Sequence, residues 1–236
     1  MRPEERGIFW RGFLDCAPFI IIVVPYAMLF GVVARDAGLA VYEVMAMSVL
    51  VIAGASQFTA VALMQEHAPV VIILLASLAV NMRMAMYSAA LTPHLGHLRF
   101  WLRGVVAYMM VDQSFALSVR KYEFESRMTP RAKTAYYFGT LTAVAPIWYV
   151  CTFAGAVIGK AIPPMFSLEF AVPVCFIAMT APMLRSLPHA VAALVSVVVA
   201  MALHWMPYNL WLIAAGLLAM VAGAQTEFYL KRRAAG

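Results

Sequence analysis

Charge is what this chain has least of. Only 12% of its 236 residues are Asp, Glu, Lys or Arg, against 64% hydrophobic, and the mean hydropathy is +0.86. Soluble domains carry about 25% charged residues, so the chain has too few solvating groups for a water-facing surface. A soluble enzyme or a nucleic-acid binder is excluded. Cysteine is nearly as scarce: Cys16, Cys151 and Cys175 fall in apolar stretches with no CxxC spacing. That excludes a disulfide framework or thiolate metal site and leaves three small buried hydrophobes. His94, His97 and His204 lack HExxH or paired spacing, and no Walker A motif is present, so neither a metal nor a nucleotide cofactor is expected. Low-complexity segments, linkers and a fixed-period repeat are also missing. A cleavable signal is not expected, because the first apolar run carries Asp15, Pro18 and Pro25 and no A-x-A site.

What is present is a series of apolar runs bounded by charges or by Gly and Pro: 13–34, 44–64, 69–91, 101–119, 135–159, 166–184, 187–205 and 208–230. A helix needs about 20 apolar residues to cross a bilayer. The runs therefore predict an all-α polytopic integral membrane bundle, a single transmembrane domain over residues 1–236 with about eight helices. Some are broken at Gly or Pro, and no room is left for a domain outside the bilayer. The 17 cations test the topology. With the amino terminus cytoplasmic, twelve fall inside: Arg2, Arg6, Arg11, the five of residues 120–133, Arg185, and Lys231 to Arg233. Arg35, Arg99, Arg103 and Lys160 fall outside, and Arg83 lies within a span. This bias predicts both termini inside. It also makes the net charge of +6 a matter of topology, with no acidic partner required. Trp205, Tyr208 and Trp211 suit the outer interface, Phe228 and Tyr229 the inner one.

Two places within the spans carry chemistry. The second span holds Gly54-Ala55-Ser56-Gln57 at its middle, next to Ala53 and Phe58. Small residues there permit a close helix crossing. They also permit a broken helix, whose free amides and positive end face an anionic group such as a carboxylate, with Ser56 and Gln57 adding polar partners. The third span ends in Asn81-Met82-Arg83-Met84-Ala85-Met86-Tyr87-Ser88. An arginine at depth either snorkels to the interface or finds a partner inside, and the partner expected here is Asp112 in the fourth span. That carboxylate is the strongest single candidate for proton or ammonium exchange; its alternative role is a static pair that only locks helices together. Asp15 and Glu43 are expected at the interfaces. Gly155-x3-Gly159 has the spacing of a close-packed seam, and the likeness between Pro25-x5-Gly31 and Pro146-x8-Gly155 is too loose to establish an inverted repeat.

In combination, these residues resemble the AzlC family, the large subunits of branched-chain amino acid exporters. The resemblance runs through Pro18, Pro25-Tyr26, Phe30-Gly31, Ala34, Gly38-Leu39, Met47-Ser48 and Ala53 to Phe58. It continues through Asn81-Met82-Arg83, Tyr87-Ser88, the Asp112 region, and Trp148 with Thr152, Gly155 and Gly159. Met84 and Gln113 depart from it, standing where members often have His and an acid. The resemblance implies a secondary transporter of the bacterial inner membrane that exports amino acids such as leucine, isoleucine and valine, with a small AzlD-like membrane subunit as partner. A zwitterionic substrate needs an ammonium partner, expected to be Asp112, and a carboxylate partner, expected at the amides of Gly54 to Gln57 with Asn81 or Arg83. It also needs an apolar pocket, expected from Tyr26, Phe30 and Phe58. Proton antiport is the expected energy source. Two other classes remain: an intramembrane enzyme using Ser56 or His94, and a scaffold that transports nothing.

Overall fold

The computed structural model describes residues 3–125, 127–159, 186–206 and 210–234, together with Ile177 and Leu184. The expected span 166–184, apart from those two residues, lies outside the described residues, as do Arg2, Lys160, Cys175, Arg185 and Tyr208. All regular structure in the described residues is helical. The first span is α1 (Pro3–Cys16) and α2 (Ile20–Asp36), joined by a 3-10 turn at Ala17–Phe19 where Pro18 removes a backbone donor. Next come α3 (Val41–Leu50) and α4 (Gly54–Gln65), then α5 (Val70–Asn81) and α6 (Arg83–Leu95). They are followed by α7 (Phe100–Tyr108), α8 (Asp112–Phe124) and the long α9 (Pro130–Ile158), whose start is capped by Thr129. The last pair is α10 (Leu187–Ala202) and α11 (Leu210–Ala234).

Among the described residues, three segments are long and apolar enough to cross a bilayer: residues 3–36, 70–95 and 130–158. The first and third run parallel, zipped by glycines that let the backbones touch. A side chain on Gly31 would strike the Thr152 carbonyl, and one on Gly155 the Met28 carbonyl. Lower down, Gly12 and Gly139 repeat the arrangement against the carbonyls of Tyr136 and Phe9. Each glycine thus rests on the carbonyl three residues before its counterpart. The stretches around Pro25-Gly31 and Pro146-Gly155, whose likeness looked loose, are the two sides of this seam.

The segments expected as spans two and four are each folded back on themselves as a hairpin of two short helices. Val49 lies beside Tyr149 of α9, since Tyr108 reaches both, so α3 descends from the C-terminal end of α2 against the direction of α9. Phe58 then packs on Tyr26 and on Phe30 one turn higher, so α4 climbs back alongside α2. Gln57 donates to Ser48 across the turn at 3.1 Å, a reach that a straight helix over nine residues forbids. The second hairpin shows the same logic inverted. Tyr137 donates to the Val106 carbonyl and Tyr108 lies against Tyr149, so α7 rises with α9. Arg83–Asp112, Tyr87–Phe115 and His94–Tyr122 then pair in order, so α8 descends alongside α6. At 1.5 Å per residue the arms are roughly 13–20 Å long, half a bilayer each.

Along the direction of α9, the chain therefore rises as α1–α2, turns down and up again as α3–α4, descends as α5–α6, and turns up and down again as α7–α8 before α9. The order of a long helical segment followed by a hairpin thus recurs with its direction inverted, a repeat of topology that no fixed-period likeness in the sequence announces. The breaks at 51–53 and 109–111 are 58 residues apart, as are the starts of α4 and α8. Arg99 and Arg103, expected opposite the 120–133 loop, are on its side, with His94 bonded to Lys133 at 3.0 Å. Arg11 pairs with Glu125 at 3.7 Å and brings the start of α1 to that same face. Of the eleven cations in residues 3–159, nine now share one face, Arg83 is at depth and Arg35 is on the other.

At the carboxyl end α10 and α11 are antiparallel, Gly223 seated against Pro188 and Ala192. Trp205 and Trp211 flank their connection, the latter with its ring on His204.

Candidate functional site

Both hairpin tips are built alike. Val51 and Ala53 are extended (φ −138° and −141°), and β-branched Val51 and Ile52 suit that conformation, so α3 stops and α4 starts afresh at Gly54. The Ser56 hydroxyl donates back to the Ala53 carbonyl at 3.0 Å. In the second hairpin Val111 is extended (φ −128°), and the Ser114 hydroxyl donates to its carbonyl at 2.9 Å while accepting from its amide at 3.2 Å. Each tip leaves the first amides of a helix without intrahelical acceptors at mid-depth, where a positive partial charge accumulates. The broken helix expected at Gly54 is thus present, and a second break in front of Asp112 accompanies it.

The first tip is closed by aromatic rings. A Cβ on Gly54 would sit 2.6 Å from Tyr26 Cε1 and 2.8 Å from Trp148 Cη2, so glycine lets the start of α4 lie against that pair without displacing either ring. Phe58 packs on Tyr26 at 5.1 Å between ring centres, and Phe30 stacks on Trp148 at 6.3 Å. Gln57 is 1% exposed, and its amide oxygen has no hydrogen-bond partner. Buried Trp148 Nε1 and Thr152 Oγ1 have none either. Unpaired buried polar atoms cost about 1–3 kcal/mol each, and three of them cluster around this tip.

The second tip holds the charges. Asp112 is the first residue of α8, where its carboxylate meets the helix's positive end. Arg83 is the first residue of α6, after a break at Met82, where the same rule disfavours a cation. The two meet at 3.2 Å, so Arg83 turns to Asp112. Asp112 Oδ1, Arg83 Nε and Asn81 Oδ1 are buried without a hydrogen-bond partner, which gives this tip spare valence as well. Tyr87 and Phe115 stack at 3.9 Å beside it.

Gly54, Ser56, Gln57, Phe58 and Tyr26 are therefore brought together, and so, separately, are Asn81, Arg83 and Asp112. The two groups are held by different elements and lie at a similar level in the bundle. Ala60, Ile73 and Ala76 form one cluster between antiparallel α4 and α5. Six residues along each helix from Ala60 and Ala76 lie Gly54 and Met82. The tips are tied by Tyr108 at the end of α7, whose hydroxyl donates to the Val49 carbonyl in the last turn of α3 and lies 3.3 Å from the Tyr149 hydroxyl. Trp148, Thr152, Ser48 and Tyr108 were missed as site residues. Trp148 and Thr152 stood among the family-like positions, and Ser48 and Tyr108 had no local signal. Ser56 and His94 are not brought together: the serine caps a tip at mid-depth, while His94 is at the near-face end of α6 and accepts from Lys133.

The family model described as "AzlC protein" matches residues 18–162, which takes in the Gly31–Gly155 part of the glycine seam and both hairpins. An uncharacterized membrane protein of Archaeoglobus fulgidus is 29% identical over 205 residues, covering 85% of this chain and 87% of the relative. No solved structure matches. With more than half of its length inside the family model, the chain belongs to the AzlC family.

Proposed function

We propose that this chain is the large subunit of a two-component secondary transporter that exports leucine, isoleucine, valine or related amino acids from the bacterial cytoplasm, with a small AzlD-like membrane protein as its partner. The reading rests on membership in a family of membrane transport components and on one observation above all. Two helical hairpins run in opposite directions along the bundle, their second arms headed by uncharged Gly54 and by Asp112, and in this reading they enter the membrane from opposite faces. A zwitterion has one group for each. Its carboxylate suits the α4 amides and Gln57, its ammonium suits Asp112, and Tyr26, Phe58 and Trp148 form the apolar wall. The face with nine cations is the cytoplasmic one by the positive-inside rule, which puts the amino terminus, and in the proposed topology the carboxyl terminus, inside. The outer hairpin α3–α4 and the inner hairpin α7–α8 serve as the two gates, with proton antiport as the energy source.

The test is counterflow of radiolabelled valine in proteoliposomes holding the chain and its small partner. Wild type accelerates exchange. Asp112→Asn abolishes it, and Ser56→Ala with Gln57→Ala impairs it at normal protein levels. Full transport with unchanged pH dependence in Asp112→Asn overturns the coupling role, and hydrolytic activity without counterflow favours an intramembrane enzyme.

A further inference from the structure

We propose that the groove between α6 and α7 binds an anionic glycerophospholipid from the near-face leaflet, its phosphate on Arg99 and Arg103 and one acyl chain running up the groove towards Met110. The groove encloses a cavity of about 290 Å³. Leu91, Leu95, Val106 and Met110 form an apolar wall. Thr92 on the rim turns its hydroxyl to the Ser88 carbonyl at 2.7 Å and adds no free donor. On the opposite side a Cβ on Gly104 would meet nothing within 4 Å, so the groove is open there. Beside a bilayer, the material at hand to cover an open apolar groove is hydrocarbon.

Charge identifies the lipid. Arg99 and Arg103 are one turn apart at the start of α7, both exposed, and among the described residues neither forms an ion pair. Two cations at a helix N-terminus oppose its dipole, and α7 has no acid in its first turn to offset them. A phosphate seated on both arginines answers the arginines and the dipole at once, and basic pockets between helices at the cytoplasmic interface are the usual seats of anionic headgroups. Phe100 and Trp101, 89% and 61% exposed, put this turn of α7 at headgroup level. The inverted repeat supplies an internal control. The positions 58 residues earlier are Val41 and Met45, so the other hairpin has no such pair. Val106 is the single buried residue of α7, and the lipid would brace an arm that the protein itself holds weakly.

Native mass spectrometry of the full chain in detergent, titrated with phosphatidylglycerol or phosphatidylcholine of matched chains, tests this directly. Phosphatidylglycerol is expected to be retained preferentially. Its retention should fall roughly fivefold for each of Arg99→Gln and Arg103→Gln and recover in Arg103→Lys. Gly104→Leu, which fills the groove and leaves both arginines, should reduce retention of both lipids. Equal retention of the two lipids by wild type, or undiminished phosphatidylglycerol binding in the doubly neutralised protein with an unchanged melting profile, overturns the proposal.

Discussion

Neutralising Asp112 and Arg83, singly and together, separates a functional charge from a structural one. At 3.2 Å the gross attraction is about 5 kcal/mol for an effective dielectric of 20. Partial exposure, 34% for the arginine and 19% for the aspartate, and the desolvation of both ions cancel much of it. Asp112→Asn leaves a guanidinium alone at depth, where insertion scales assign about 2.5–3.5 kcal/mol, so a loss of about 2–3 kcal/mol is expected. Arg83→Gln should cost less, because a lone carboxyl can take up a proton whereas a guanidinium cannot lose one. The double variant should then recover about 1–2 kcal/mol relative to the sum of the single losses. Equilibrium unfolding in mixed micelles measures this cycle. Additivity within about 0.5 kcal/mol would refute the pairing as an energetic unit. Valine counterflow on the same proteins supplies the second axis: recovered stability without recovered transport assigns Asp112 to the substrate or its coupling ion, whereas recovery of both reduces it to a helix lock.

Labelling of single cysteines checks the hairpins: Tyr42→Cys and Gln65→Cys should react from one side of the membrane, and Phe100→Cys and Glu123→Cys from the other, whereas crossing spans would split each pair. Tyr108→Phe removes the hydroxyl that ties the two tips. It should cost about 1 kcal/mol in stability and raise valine leak without counter-substrate, measured as efflux from loaded vesicles. Gly155→Ala drives a methyl into the Met28 carbonyl and should cost about 1–3 kcal/mol or prevent accumulation, whereas Gly216→Ala, with nothing within 4 Å, should be silent in the same melting assay. The Lys121 hydrogen bond, aided by the charges of Lys121 and Arg11, holds the Glu125 carboxyl below its usual range. Its tie to α1 is therefore present above the ordinary carboxylate pKa and is lost as pH falls through the lowered value. Glu125→Gln should flatten that acid-side loss of stability in a melting series against pH.

Helicity, the apolar arms, the break at Gly54 and the Arg83–Asp112 pair could all be read from residue order, because each is a local matter of composition or charge. The fold-back of the hairpins could not. Residues 41–65 make 25 positions, roughly 37 Å as one helix and enough to cross a bilayer. Folded at 51–53 the same residues make two half-height arms with the same hydropathy. The break before Asp112 has no Gly or Pro to announce it, only Val111 and a serine three residues on. The repeat is hidden for a related reason: between 41–67 and 99–125 only Ser56/Ser114 and Val61/Val119 are identical. What the tips share is a backbone turn and a serine cap, and apolar positions facing lipid or a loosely specified core can drift freely. The one clue within reach was the placement of Arg99 and Arg103 against the positive-inside bias.

The repeat also explains why the site is asymmetric. Related by the 58-residue shift, Gly54 and Asp112 head equivalent half-helices, so a strictly symmetric tip pair would offer two free positive ends or two carboxylates. Two positive ends would select a dianion, and two carboxylates a dication. With a carboxylate at one tip, held by Arg83 through one oxygen, and bare amides at the other, the pair offers one partner to each end of a molecule carrying one charge of each sign. Gly54→Ala tests that division of labour without touching a charge. Its methyl meets the flexible rings of Tyr26 and Trp148 at 2.6 and 2.8 Å rather than backbone, so the fold can yield while the approach to the α4 amides narrows. Weaker affinity for valine with retained affinity for its decarboxylated amine, read by competition in the counterflow assay, is the expected pattern. Equal loss for both ligands would place the carboxylate elsewhere.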